Sequence, residues 1–127
     1  MTKHSFVVVV ADDDPYLVEL YQFILIEAGH QVLCCFSGNE AERVIRRVKP
    51  DVAIVDMQME AQDAGLRLLE TIRANPETSR VAVIVCSADV LFLDAQREHI
   101  ARHGGETIAK PFEIDHLLAT VERLVAF

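Results

Sequence analysis

The chain reads as a doubly wound α/β domain built on a parallel sheet with helices on both faces, and three observations lead there. Short β-branched runs alternate about five times with segments whose apolar residues recur at helical spacing, the pattern of successive βα units. The strand-like runs lack a polar face, as in 6–11 (FVVVVA) and 81–86 (VAVIVC), so they belong to strands covered on both sides. With 127 residues, 51% of them hydrophobic, the chain has length and apolar content for one core, and residues 1–127 are read as a single domain.

The elements follow in order. After the first strand, Asp14 offers an N-cap and Pro15 the first helical position. Leu17, Val18, Leu20, Tyr21, Ile24, Leu25 and Ala28 then form the stripe of helical period, which ends at Gly29. Residues 31–36 read as a second strand, 39–48 as a helix before Lys49-Pro50, and 52–56 as a short buried strand. A helix over 64–74 stops at Asn75-Pro76, the strand 81–86 follows, and a helix over 90–103 is closed by Gly104-Gly105. Ile108 and Ala109 make the last strand. Ile114, Leu117, Leu118, Val121, Leu124 and Val125 form the apolar side of a C-terminal helix.

Charge and cysteines remove several classes of function. Twelve Lys and Arg against twenty Asp and Glu leave a net charge of −8, the wrong sign for a general nucleic-acid or anionic-membrane surface. Cys34 and Cys35 are adjacent and Cys86 stands alone, so no CxxC pair or disulfide framework can be drawn, and all three read as small hydrophobes in strands. No leader segment or membrane-length apolar run is visible, and the expected location is cytoplasmic.

In doubly wound folds the chemistry lies beyond the C-terminal ends of the strands. Here those ends carry Asp12-Asp13-Asp14, Asp56, Ser87 and Lys110. Taken singly, each has an ordinary explanation: Asp14 caps a helix, Asp56 forms a turn, Lys110 makes a salt bridge and Ser87 caps the next helix. Taken together they do not. Two carboxylates about 4 Å apart repel by about 4 kcal/mol at an effective dielectric of 20, so gathering Asp12, Asp13 and Asp56 calls for a cation, and Mg²⁺ suits such an open cluster. A carboxylate nucleophile, a magnesium pair, an ammonium and a hydroxyl are the parts of phosphoryl transfer to an aspartate.

Over nearly its whole length the chain resembles the receiver domain of two-component response regulators, the single-domain chemotaxis regulators among them. The motifs are the acidic pair of VVVVADDDP, Asp56 in VAIVDMQM, Ser87 in VIVCSAD and the triplet Lys110-Pro111-Phe112. The resemblance implies a flavodoxin-like five-stranded sheet of order 2-1-3-4-5 and phosphorylation of Asp56 by a sensor histidine kinase or phosphotransfer protein. It also implies Mg²⁺ held by Asp12, Asp13, Asp56 and the carbonyl of Gln58, with Lys110 pairing with the phosphoryl group, Ser87 reporting its arrival and Lys110-Pro111 cis. Such a domain modifies only itself and is not a turnover enzyme.

The same resemblance places a downstream protein on the Val90 helix, the Ile108 strand and the C-terminal helix. Independently, Val90, Leu91, Phe92 and Leu93 are consecutive and a helix cannot turn all four inward, which leaves Leu91 or Phe92 exposed. The chain departs from the family pattern at three places. Glu60 stands where a proline is usual, with Gly65 one residue late; Thr107 replaces a Tyr or Phe; and Ser87 to Lys110 is one residue longer.

Other readings fit less of the sequence. A haloacid-dehalogenase-type phosphohydrolase could use Asp12 and Asp14, but it needs a further strand with its own magnesium acids after the lysine. A flavin or dinucleotide binder would meet repulsion at ADDDP. A non-phosphorylated pseudo-receiver acting purely as a docking module stays open, because the loop after Asp56 is unusual, although every charged residue it could dispense with is present. His99 and His103 lie four apart on one helix and could share a metal, but the sequence offers no third ligand, and the simpler reading is an interaction with the helix dipole.

Overall fold

The structure, a computed structural model, describes residues 5–125. Ten elements alternate: β1 (Val7–Ala11), α1 (Pro15–Glu27), β2 (Gln31–Cys35), α2 (Gly38–Val48), β3 (Val52–Asp56), α3 (Ala64–Ala74), β4 (Ala82–Ser87), α4 (Val90–Arg102), β5 (Glu106–Ala109) and α5 (Ile114–Val125). The five strands form one parallel sheet in the order β2-β1-β3-β4-β5. That is the expected doubly wound, flavodoxin-like arrangement.

Strand periodicity sorts the core into two layers. Val9, Ala11, Ala53, Val55, Val83 and Val85 face Ala41, Ile45, Leu68, Leu69, Ile72, Leu93 and Ile100 of α2, α3 and α4. Val8, Val10, Ile54, Ile84, Cys86 and Ile108 face Tyr21, Ile24, Leu25, Leu117 and Val121 of α1 and α5. Central strands buried on both sides need the unbroken apolar runs seen in the sequence, whereas the edge strand β2 alternates exposed and half-buried positions up to Cys35. Cys35 and Cys86 are buried and Cys34 half-buried, all three as free thiols, and burial pushes Cys35 up to about 11 and Cys86 up to about 12. Among the described residues no helix is long and apolar enough to cross a membrane.

Most boundaries fall within a residue of the sequence expectation, and the shifts at β5 and at the end of β4 have a physical reason. β5 begins at Glu106 rather than Ile108, because Glu106 and Thr107 pair with Ile84 and Val85 on an edge whose polar residues hide the strand from an apolar pattern. β4 extends to Ser87, which pairs with Ala109. The extra length between Ser87 and Lys110 is taken up after α4. There Gly104 adopts a φ of +68° and donates to Ala101, and Gly105 donates back to Ile100.

Arg73, at the end of α3, fastens this region. Its Nε donates to the carbonyl of His103 (2.6 Å), Nη2 to Gly104 (3.3 Å), and Nη1 to Val81 (2.6 Å) and Ser79 (3.2 Å). One guanidinium therefore serves carbonyls just past the end of α4 and in the segment that leads into β4. Arg73→Ala should lower unfolding free energy by about 2 kcal/mol, read by urea denaturation as a reduced midpoint at an unchanged slope.

Candidate functional site

The register of the sheet determines which strand-end residues meet. Ala11 pairs with Val55 and Asp56 with Cys86, which in turn pairs with Ile108. Asp12, Asp56 and Lys110 fall in phase with Val10, Ile54 and Ile108, so all three carry the α1/α5 phase of the sheet, while Ser87 follows Val85 in the other. The backbone keeps the ends aligned: Asp12 N–H donates to Cys35 (3.1 Å), Met57 N–H to Cys86 (2.8 Å) and Lys110 N–H to Ser87 (2.8 Å).

At the centre, Lys110 Nζ lies 2.9 Å from Asp12 Oδ2 and 3.0 Å from Asp56 Oδ1. Asp12 and Asp56 are 1% and 8% exposed, so this is a buried bridge in which one ammonium serves two carboxylates. The other oxygen of Asp12, Oδ1, accepts from Asp14 N–H (2.9 Å), and Asp14 caps α1 by accepting from Tyr16 N–H (3.0 Å), as its position implied. Asp13 is exposed, and one carboxylate oxygen from each of Asp12, Asp13 and Asp56 lies within 4.8 Å of the others. The donor set is thus three hard oxygens opening to solvent, which fits a magnesium ion with its retained waters.

The electrostatics are unbalanced. Burial pushes the Asp56 carboxyl up to about 6; the hydrogen bond and charge of Lys110 oppose this, and the charges of Asp12 and Asp13 add to it. Burial also works against the Lys110 ammonium, but its bonds and charge contacts with Asp12 and Asp56 outweigh that and hold its pKa above the ordinary lysine value. Asp56 therefore carries an ionisation penalty that a divalent cation would relieve.

The remaining expected residues lie around this bridge. Ser87 is fully buried at the end of β4, and its Oγ accepts from Asp89 N–H (3.0 Å), so its hydroxyl is engaged in the β4–α4 loop. The cap of α4 is Asp89, which accepts from Phe92 N–H (3.0 Å), and not Ser87. Gln58 is half-buried, two residues beyond Asp56 in the β3–α3 loop. Lys110-Pro111 is cis, and Phe112 stacks on Tyr21 with ring centroids 5.2 Å apart.

Two residues gain roles that the sequence did not reveal. Glu60 accepts from the N–H groups of Gly38 (2.8 Å) and Asn39 (3.1 Å), tying the β3–α3 loop to the N-terminus of α2. Burial disfavours its ionised form, but the amides of Gly38, Glu60 and Asn39 prevail and hold its carboxyl below the usual range. Gly65 donates to Met57 (2.8 Å) and packs so closely that a Cβ would stand 2.4 Å from the Asp56 carbonyl oxygen. In the sequence Glu60 is noticeable only as a replacement for the usual proline and Gly65 only as a departure in spacing, because their partners lie on other elements.

The response regulator receiver domain family matches residues 8–122 of this chain. The chain belongs to that family. It is 31% identical to the probable C4-dicarboxylate response regulator DctR of Priestia megaterium over 129 residues, covering all of this chain and 55% of that protein, so it spans about half the relative's length. The receiver domain of Francisella response regulator 1452 superposes with a TM-score of 0.82 at 29% identity, over 94% of this chain and 96% of the other. The receiver domain of sensor histidine kinase PA1611 from Pseudomonas aeruginosa, solved with a magnesium ion in its active-site cleft, gives 0.84 at 24% identity over 97% and 99%, a likeness of fold. As a receiver domain of two-component signalling, the chain has its strand-end crevice where such folds carry their chemistry.

The raised pKa of Asp56 has a consequence for this receiver without metal. Below about pH 4 the carboxyl is neutral folded or unfolded; between about pH 4 and 6 the unfolded chain releases its proton first, so stability falls as pH rises and stays reduced above 6. Asp56→Asn should therefore raise stability at pH 7.5 by on the order of 1–3 kcal/mol and flatten that fall, as read by thermal melts in chelator-treated buffer.

Proposed function

We propose that this receiver is switched by phosphorylation of Asp56, with Mg²⁺ held by Asp12, Asp13, Asp56 and the carbonyl of Gln58. The phosphoryl group would come from a phosphohistidine on a sensor histidine kinase or phosphotransfer protein, in the cytoplasm. The observation that carries this reading is the half-buried ammonium of Lys110 shared between the buried carboxylates of Asp12 and Asp56. A carboxylate that costs free energy to ionise is kept at the mouth of the sheet beside a movable cation, which suits a nucleophile and serves no purpose in packing.

The chemistry divides among the chain's own groups. Asp56 Oδ attacks phosphorus as the bond from phosphorus to the donor imidazole nitrogen breaks, and the imidazole leaves with the electron pair. When bound, Mg²⁺ supplies positive charge that lowers repulsion between the incoming phosphoryl oxygens and the three carboxylates. Lys110 shifts its bonds from the Asp56 carboxylate to a phosphoryl oxygen while keeping Asp12. Ser87 Oγ, now an acceptor from Asp89 N–H, turns its own hydrogen to another phosphoryl oxygen. The chain transfers the group only to itself and loses it by hydrolysis, so it is a signalling module. A docking-only pseudo-receiver would leave the Asp12–Lys110–Asp56 bridge unexplained.

Output follows from where Ser87 leads. Its loop runs directly into α4, where Leu91 is 84% exposed and Phe92 is half-buried against the core. Val90 and Ile114 are also exposed, which gives the α4–β5–α5 face apolar contacts for a protein partner. Thr107, in the position where an aromatic is usual, accepts from Arg97 Nη1 (2.7 Å), while Arg97 Nη2 donates to Asp94 (2.7 Å). With no aromatic ring to rotate at 107, the change runs through Ser87 and residues 88–91.

Incubation with acetyl phosphate and Mg²⁺ should add one phosphoryl group by intact mass, and Asp56→Asn should stay unmodified. Asp12→Ala and Asp13→Ala should each raise the Kd for Mg²⁺ about tenfold or more, equivalent to about 1.4 kcal/mol, in a fluorescence or calorimetric titration. Unaltered Mg²⁺ affinity in the double variant would put the cation elsewhere.

For the output face, amide NMR spectra with and without beryllofluoride should differ over residues 87–101 as well as at the strand-end loops. Shifts restricted to the loops bearing Asp12, Asp56 and Lys110 would rule that face out.

A further inference from the structure

At the opposite end of the sheet from Asp56, α3 and α4 bring together three groups with a different chemistry. His99 and His103 lie four apart at the end of α4, with their rings tilted and their centroids 4.6 Å apart. Glu70, from α3, reaches them: its Oε2 lies 2.8 Å from His99 Nε2. One ligand atom from each of Glu70, His99 and His103 lies within 4.8 Å of the others. The sequence offers the histidine pair alone, because Glu70 is 29 residues away and becomes a neighbour only when α3 and α4 pack on the same face of the sheet.

The geometry points to a binding site for a borderline transition-metal ion, Zn²⁺ in the first instance, held by His99, His103 and Glu70 with solvent completing the coordination. Two imidazoles and one carboxylate suit zinc, and nitrogen donors of this kind are poor partners for magnesium. Bonds of about 2.0–2.1 Å in a tetrahedral centre put ligand atoms about 3.4 Å apart, so the three donors need only small side-chain movements to close on an ion. His103 Nδ1 lies 3.0 Å from the carbonyl of His99, and donation there leaves its Nε2 lone pair for a metal. This is the backbone hydrogen bond that commonly orients metal-bound histidines.

The site is open and preformed. The side chains of His99 and Glu70 are 31% and 45% exposed, which gives an ion a path in. Arg73, one turn from Glu70, grips the carbonyl of His103 at 2.6 Å and so fixes the distance between the two helices. Its charge disfavours a cation nearby, but its nitrogens are directed at backbone carbonyls. In the metal-free chain a carboxylate can only accept, so His99 Nε2 carries the proton facing Glu70. On binding, that proton moves to Nδ1, the ring stays neutral, and the Nε2 pair goes to the ion. A bound ion would clamp the C-terminal end of α4 to α3.

Calorimetric titration with zinc chloride is done on an Asp12→Asn/Asp13→Asn background, which removes the competing acidic crevice. One equivalent of Zn²⁺ should still bind, and His99→Gln or His103→Gln should each weaken it about 10- to 100-fold, with Glu70→Gln weakening it less. In the unsubstituted chain with excess Mg²⁺, Zn²⁺ should shift the imidazole NMR signals of His99 and His103 and leave those of His30 and His116 in place. Failure to take up zinc on that background, uptake indifferent to both histidine substitutions, or imidazole signals that do not move would each overturn the assignment.

Discussion

One ammonium shared by two buried carboxylates is the constraint on which this receiver's site depends. Asp12 and Asp56 are almost fully removed from water, and neither has a packing reason to be there. Lys110 reaches both at about hydrogen-bond distance, yet burial still pushes Asp56 up to about 6. The crevice is therefore under-neutralised, which is where the chain departs from the rule that buried charges are paired. Under the proposed function, this shortage of positive charge is what a magnesium ion would relieve before a phosphoryl group arrives.

Much of the surrounding architecture holds that bridge in place. Five parallel strands bring their C-terminal ends to one edge, and the period-2 alternation gives Asp12, Asp56 and Lys110 the same phase. Backbone bonds from Met57 to Cys86 and from Lys110 to Ser87 continue the alignment one residue past the strands. Gly65 lets α3 approach until no side chain would fit against the Asp56 carbonyl, and Tyr21 stacked on Phe112 fills the space under the loop that carries Lys110. Glu60, standing where the family usually has proline, uses charge for what proline does by covalent restriction. Its carboxylate anchors the loop to the first amides of α2, a site where the free N–H groups of the helix favour an anion.

The two ends of the molecule divide the chemistry by ligand type. Hard carboxylate oxygens gather at the C-terminal edge of the sheet, while the imidazoles of His99 and His103 with Glu70 sit where α4 ends and β5 begins. Both sites touch α4, the first through the Ser87 loop that leads into it and the second at its last turn. The helix with the most exposed leucine among the described residues thus runs between the two clusters.

The sequence by itself determined the α/β class, most element boundaries to within a residue and the identity of the strand-end residues. Unbroken β-branched runs, helical periodicity and Gly or Pro stops are local signals, set by steric and hydrophobic preferences within about ten residues. It also required that Leu91 or Phe92 be exposed, since four consecutive apolar residues cannot share one helix face, and the structure decides for Leu91. The strand order came with the family resemblance and not from any local signal. Where the sequence pattern failed, the missing information was non-local. The polar start of β5 is a strand only because Glu106 and Thr107 pair with β4, and Ser87 bonds inside its loop while Asp89 takes the cap. Glu60 meets α2 from 21 and 22 residues away, Lys110 meets Asp12 across 98, and Glu70 meets His99 across 29. Such pairings depend on which helices and strands the sheet makes neighbours, and charge and hydrogen-bond energies act only once packing has brought the partners within a few ångströms.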